Sequence, residues 1–120
     1  MSLIHPAIWV SDLEETKSFY TDIIDLEYSR DHVDGSGITN YYLIGKNGVE
    51  IQFKETEGGE SVSPDGIDHI GFSVEDIEDS MSRVDESSNL IEPTTLEEKS
   101  IIYGFVEDPD GYEVELIEEI

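Results

Sequence analysis

Residues 5–16, HPAIWVSDLEET, and residues 69–80, HIGFSVEDIEDS, are two versions of one segment at a constant offset of 64 positions (69 − 5 = 64). His5/His69, Val10/Val74, Asp12/Asp76 and Glu14/Glu78 are identical across that offset. Leu13/Ile77, Glu15/Asp79 and Thr16/Ser80 are conservative pairs. A repeat this long, occurring twice, indicates a duplicated half-domain, since solenoid repeats are shorter and more numerous.

Reading outward, both copies develop in the same way. Residues 4–10 and 69–74 alternate apolar with other residues, the period of a half-buried strand. Asp12 and Asp76 stand at the N-cap position, with Glu15 and Asp79 three residues on, as in a capping box. The first helix is expected over about 13–25, burying Leu13, Tyr20, Ile23 and Ile24. The second is expected over about 77–87, burying Ile77, Met81 and Val84. Three short strands follow each helix, at about 26–33, 38–45 and 49–54, and at about 90–97, 100–107 and 112–118. Lys46-Asn47-Gly48 and Asp108-Pro109-Asp110-Gly111 supply turns. The fold expected is α+β: two βαβββ units, about 3–54 and 67–118, joined by the Gly/Ser-rich linker 55–66. They would form a curved mixed sheet with helices on the convex face, within a single domain over 1–120.

Composition bounds the function. At 120 residues the chain has room for one core, and no apolar run reaches the ~20 residues that cross a bilayer. No signal peptide is apparent, so a cytoplasmic location without membrane partners is expected. There is no cysteine, hence no disulfide and no thiolate ligand or nucleophile. Thirty Asp and Glu against six Lys and Arg give a formal net charge of −24. That field repels phosphate and argues against nucleic-acid partners. The acids are dispersed between apolar positions, as expected of a surface adapted to a halophile's high-salt cytoplasm.

Strand parity locates a site. With side chains alternating between sheet faces, Ile4, Ile8 and Val10 oppose His5, Ala7 and Trp9, while Ile70, Phe72 and Val74 oppose His69, Gly71 and Ser73. Likewise Val49, Ile51 and Phe53 oppose Glu50 and Gln52, and Tyr112, Val114 and Leu116 oppose Glu113 and Glu115. The apolar sets would pack under the helices. The other sets put two imidazoles and two carboxylates at equivalent strand positions on a concave open face. Such N/O donors suit a borderline divalent ion, with nickel, cobalt, zinc and manganese all open. Only three histidines occur, and two fall on matched repeat positions, whereas a Glu alone in so acidic a chain is usually solvated. His32 has no counterpart in the second half. By parity Gln52 rivals Glu50, and Glu113 rivals Glu115.

The opening SLIHPAIWVSDLEETKSFY, the middle DHIGFSVEDIEDS and the closing FVEDPDGYEVELIEE resemble glyoxalase I (lactoylglutathione lyase) of the short bacterial type, in the vicinal oxygen chelate superfamily. The resemblance runs from about residue 3 to 120. It implies metal ligands at His5, Glu50 (in GVEIQF), His69 and Glu115 (in YEVELIE). It also implies a homodimer, each metal site taking one pair from each chain. The implied substrate is the hemithioacetal of methylglyoxal and a thiol, and the product an S-lactoyl thiol. Glu115 would take the proton alpha to the carbonyl, the metal would act as Lewis acid, and Glu50 would assist the proton's return.

The chain departs from that family at two positions. Trp9 stands where a glutathione-contacting Arg is common, and Lys54 where an Asn is common, which points to a different small thiol. The same scaffold also serves methylmalonyl-CoA epimerases, which favour Gln at the first carboxylate position, and extradiol-type dioxygenases. It serves metal-free binding proteins of the bleomycin-resistance type as well. The full His/Glu quartet argues for the isomerase.

Overall fold

The computed structural model describes residue 1 and residues 3–120. The chain divides into two compact units, Met1–Val62 and Ser63–Ile120. The first runs β1 (Ala7–Trp9), α1 (Leu13–Ser18), β2 (Glu27–Val33), β3 (Thr39–Ile44), β4 (Glu50–Glu55). The second runs β5 (Ile70–Ser73), α2 (Ile77–Ser82), β6 (Asn89–Leu96), β7 (Ile101–Glu107), β8 (Glu113–Glu119). Each is the expected βαβββ unit with its own four-stranded mixed sheet, in the orders β1-β4-β3-β2 and β5-β8-β7-β6. The first and last strands of each unit pair in parallel and the other neighbours antiparallel.

Local chemistry explains the elements. The Asp12 carboxylate accepts from the backbone N–H of Glu14 and Glu15 and starts α1, and Asp76 accepts from that of Asp79 and starts α2. Both helices are shorter than the sequence suggests. After Ser18 the first becomes a π turn, Phe19–Ile23, and Asp25 adopts φ 64°, which an α-helix cannot continue through. The second stops at Arg83, and a 3-10 turn, Glu86–Ser88, follows. Gly48 and Gly111 close the two hairpins at φ 82° and 90°, the left-handed backbone that glycine adopts without strain.

In the first unit Ile8, Val10, Leu13, Tyr20, Ile24, Leu43, Ile51 and Phe53 are buried, with the Tyr20 and Phe53 rings 4.9 Å apart. In the second, Ile77, Met81, Val84, Val106, Tyr112, Val114 and Leu116 are buried. The helix-facing parity therefore holds through the strand centres. It fails at two ends: Ile4 is 71% exposed and Val49 43% exposed, because β1 begins only at Ala7 and Val49 precedes β4.

The register carries more than parity does. In β1 and β4, Ala7 pairs with Gln52; in β5 and β8, Gly71 pairs with Glu115. Ala7 and Gly71 are repeat mates, so the mate of Glu115 is Gln52 (115 − 52 = 63), and that of Glu113 is Glu50 (113 − 50 = 63). The helix starts agree. Leu13 N–H donates to Glu55 Oε2 at 2.7 Å, and Ile77 N–H to Glu118 Oε1 at 2.9 Å, again an offset of 63 (118 − 55 = 63). The offset between halves has thus shortened by one between the first and last strands.

No helix of the described residues is long and apolar enough to cross a membrane, which leaves β-barrel spans unaddressed.

Candidate metal centre

Each unit brings one imidazole and one glutamate of the expected quartet to the sheet face away from its helix. In the second unit His69 Nε2 lies 3.4 Å from Glu115 Oε1. On the other side of the ring, Nδ1 is 2.7 Å from Asp68 Oδ2, and the ring meets Phe105 edge-on at 5.3 Å. A carboxylate on Nδ1 fixes the tautomer that carries the Nδ1 proton, which presents the Nε2 lone pair as a donor. Asp68 also raises the His69 pKa, ahead of the Glu115 charge and against the opposing effect of burial. Gly71 lies beside this pair, and a Cβ there would make only ordinary contact with Glu115 Oε1, at 3.7 Å.

In the first unit His5 sits edge-on to Tyr42 at 5.4 Å, and its Nδ1 is buried without a hydrogen bond. A buried imidazole nitrogen left unpaired costs free energy unless something coordinates it, so this atom fits a metal ligand. Glu50 lies near enough to His5 to feel its charge, but its carboxylate is engaged elsewhere. Oε2 accepts from the Ser29 hydroxyl at 2.6 Å and from Arg30 Nε at 3.2 Å, and Oε1 accepts from Arg30 Nη2 at 3.3 Å. The Ser29 hydroxyl first, then Arg30, hold its pKa below the ordinary value.

Consecutive residues of a regular strand face opposite ways. Ser29 and Arg30 both reach Glu50 because the β2–β3 register shifts between Tyr28 and Arg30, a bulge of the kind that re-aims side chains. The Arg30 guanidinium lies 4.0 Å over the Tyr42 ring, and His32 stacks on that ring at 6.0 Å. Tyr42 is consequently buried, as are Asn40 and Gln52. The face that parity alone described as open is here a packed polar layer.

That layer is a directed network. The Asn40 amide nitrogen donates to Asp34 Oδ2 and to the Ile38 carbonyl, at 3.4 and 3.1 Å. Asn40 Oδ1 accepts from Lys54 Nζ at 3.0 Å and from Gln52 Nε2 at 2.7 Å. Lys54 Nζ also lies 5.4 Å over the Trp9 ring.

His5 and Glu50 are thus neighbours, His69 and Glu115 are in contact, and among the described residues no group of three or more His, Cys, Asp or Glu is gathered to hold a metal. Neither pair completes a coordination sphere alone. Sequence reasoning missed Asp68, although it directly precedes His69, and it missed Ser29 and Arg30, whose reach depends on the bulge.

Two βαβββ units, each offering a His and a Glu on an equivalent face, define a duplicated chelate-type scaffold. The chain belongs to the Glyoxalase/Bleomycin resistance protein/Dioxygenase superfamily, whose model matches residues 2–116. It is 30% identical over 125 residues to a probable lactoylglutathione lyase of Synechocystis sp., covering 98% of this chain and 95% of that one. The structure is similar to the trypanothione-dependent glyoxalase I of Leishmania major, with TM-score 0.80, 25% identity, and coverage of 99% of this chain and 87% of that one. Glyoxalase I from Zea mays shares the fold at TM-score 0.80 and 23% identity; this chain spans 43% of that chain's length, and the match covers 95% of this chain.

Proposed function

We propose that the chain is a metal-dependent isomerase of the glyoxalase I type, converting the hemithioacetal of methylglyoxal and a small thiol to an S-lactoyl thiol. The observation that carries this is the His69–Glu115 pair, a tethered imidazole against a carboxylate on the sheet face turned away from the helix. Its counterpart around His5 and the full-length similarity to a probable lactoylglutathione lyase support it.

His5, His69 and Glu115 would hold one divalent ion, with a further oxygen from β4, where the sequence puts Glu50 forward. Two imidazoles, carboxyl oxygen and no thiolate fit nickel or cobalt, then zinc or manganese. We place the two pairs together in a homodimer, one chain giving the first pair and its partner the second. When bound, the ion supplies Lewis acidity to the oxygens of the substrate.

The chain's own chemistry falls to Glu115. It takes the proton from the carbon bearing sulfur and hydroxyl, and the electron pair moves toward the adjacent carbonyl. The carboxyl then returns the proton at that neighbouring carbon, while the hydroxyl proton passes to the other oxygen. One hydrogen has moved between carbons, and no oxidant enters. The thiol need not be glutathione: Trp9 replaces the Arg common in glutathione-using members, and the Leishmania relative is described as trypanothione-dependent.

The test is metal analysis of the purified protein, together with methylglyoxal isomerisation assayed with several thiols in concentrated KCl. Bound metal is expected, with turnover lost on chelation and restored on reloading. Glu115→Gln should retain metal while turnover falls by roughly 10²-fold or more, the usual weight of a positioned base. Protein without bound metal or metal-dependent turnover sinks the reading.

A second reading, epimerisation of an acyl thioester at its alpha carbon, is favoured by one observation: Gln52 holds the register place of Glu115's mate. It needs the same base and differs in that a proton is delivered to the opposite face of the same alpha carbon, inverting it.

A further inference from the structure

We infer that in this chain the β4 donor to the metal is the side-chain carbonyl of Gln52, and that Glu50 is an internal counter-ion of Arg30 outside the coordination sphere. This rests on the metal-binding reading above. Three independent observations carry it.

The first is register. Gln52 stands opposite Ala7 as Glu115 stands opposite Gly71, and Glu50 corresponds to Glu113. Three further pairs fix the same frame. The buried mates Ile51/Val114 and Phe53/Leu116 point to the helices, and Glu55/Glu118 each accept the first helical N–H of their unit. A shift of two residues would keep parity but would break the Glu55/Glu118 match.

The second is occupancy. Both oxygens of Glu50 are taken by donors that a bulge in β2 has turned toward it. A two-point guanidinium–carboxylate pair is among the stronger charge-assisted contacts, and a cation entering there would meet the Arg30 charge at once.

The third is orientation. Asp34 and the Ile38 carbonyl fix which end of the Asn40 amide carries nitrogen, and Lys54 confirms the other end as oxygen. The Gln52 group facing Asn40 Oδ1 is therefore its NH₂. The Gln52 carbonyl is directed away from that network, and it makes no hydrogen bond among the described residues. Ligands of a metal are commonly held by an outer layer of hydrogen bonds in this way; here the holder is Asn40, itself 1% exposed. The donor set at the metal then has two imidazoles, one carboxamide and one carboxylate. Glu115 is left as the sole carboxylate in contact with the ion.

Titration calorimetry of the full chain with Ni²⁺ tests this. Gln52→Leu should weaken binding by roughly 10- to 100-fold, as loss of a ligand or its holder does. Glu50→Gln should stay within roughly threefold of wild type, and Gln52→Glu should bind at least as tightly as wild type. A ligand-scale loss in Glu50→Gln, or none in Gln52→Leu, overturns the assignment while leaving the metal reading intact. No Ni²⁺ binding by the wild type overturns both.

Because Gln52 is buried and its leucine variant could misfold, the wild-type protein supplies a second measurement. On adding Zn²⁺ to ¹⁵N-labelled protein, the Gln52 side-chain amide resonance should shift while the Arg30 Nε resonance stays in place. The reverse pattern, Arg30 released and Gln52 unmoved, overturns the proposal.

Discussion

Among single residues, His69 shows how one neighbour sets chemistry. Asp68 Oδ2 at 2.7 Å holds the Nδ1 proton and raises the pKa, so the imidazolium persists to higher pH than in a free histidine. The proton and a metal compete for Nε2. Metal affinity should therefore fall as pH drops through the His69 pKa, above its ordinary 6.5. Asp68→Asn should lower that pKa, seen as an acid shift of the His69 ring resonance in the metal-free protein. An unmoved titration would mean that Asp68, exposed as it is, does not hold the ring. Folded His69 with a raised pKa also adds stability below the unfolded pKa, which is lost as pH rises through the folded one. The two histidines were legible in the sequence because they are rare and fall on matched repeat positions. The choice between Glu50 and Gln52 was not, because alternation reports only which face a residue is on. Residues two apart share a face, and register separates them only once the strands are paired.

At the scale of elements, order and type were readable throughout, since apolar period and N-cap chemistry agree in both halves. Boundaries were not. The π turn after Ser18 and the left-handed Asp25 depend on how Phe19 and Tyr20 pack, and helical spacing does not encode that. β1 and β5 shrink to the residues that pair with their parallel neighbours. The two helices are only six residues each, too short to persist without packing and caps. Their starts are secured twice over, by Asp12 and Glu55 and by Asp76 and Glu118. Asp12→Ala and Asp76→Ala should each cost about 1 kcal/mol in denaturant unfolding. The loss should be larger for Asp12, which accepts from two backbone N–H groups where Asp76 accepts from one. Equal and negligible losses would show that the glutamates alone suffice.

For the molecule as a whole the governing quantity is a net charge of −24 on 120 residues. Three of the six Lys and Arg are spent locally: Lys17 pairs with Glu14, Arg30 with Glu50, Arg83 with Asp79. With thirty carboxylates and six Lys and Arg, most of the acidic charge is not balanced by a cation, and folding concentrates that repulsion. Screening length falls from ~10 Å at ~0.1 M salt to ~3 Å at ~1 M, so the repulsion is largely removed within that range. The midpoint of thermal unfolding, followed by circular dichroism, should accordingly rise with KCl. Most of the rise should come below about 1 M and amount to roughly 5 °C or more, the shift that about 1 kcal/mol gives a chain of this size. Stronger apolar burial in salt would also raise the midpoint, but without saturating over that range and regardless of surface charge. A charge reversal separates the two causes. Glu97 and Glu98 are exposed side by side in the turn after β6, and replacing both with Lys should raise the midpoint in dilute buffer and leave it nearly unchanged in concentrated KCl. If the variant instead kept the same advantage at every salt concentration, repulsion would not be what salt relieves.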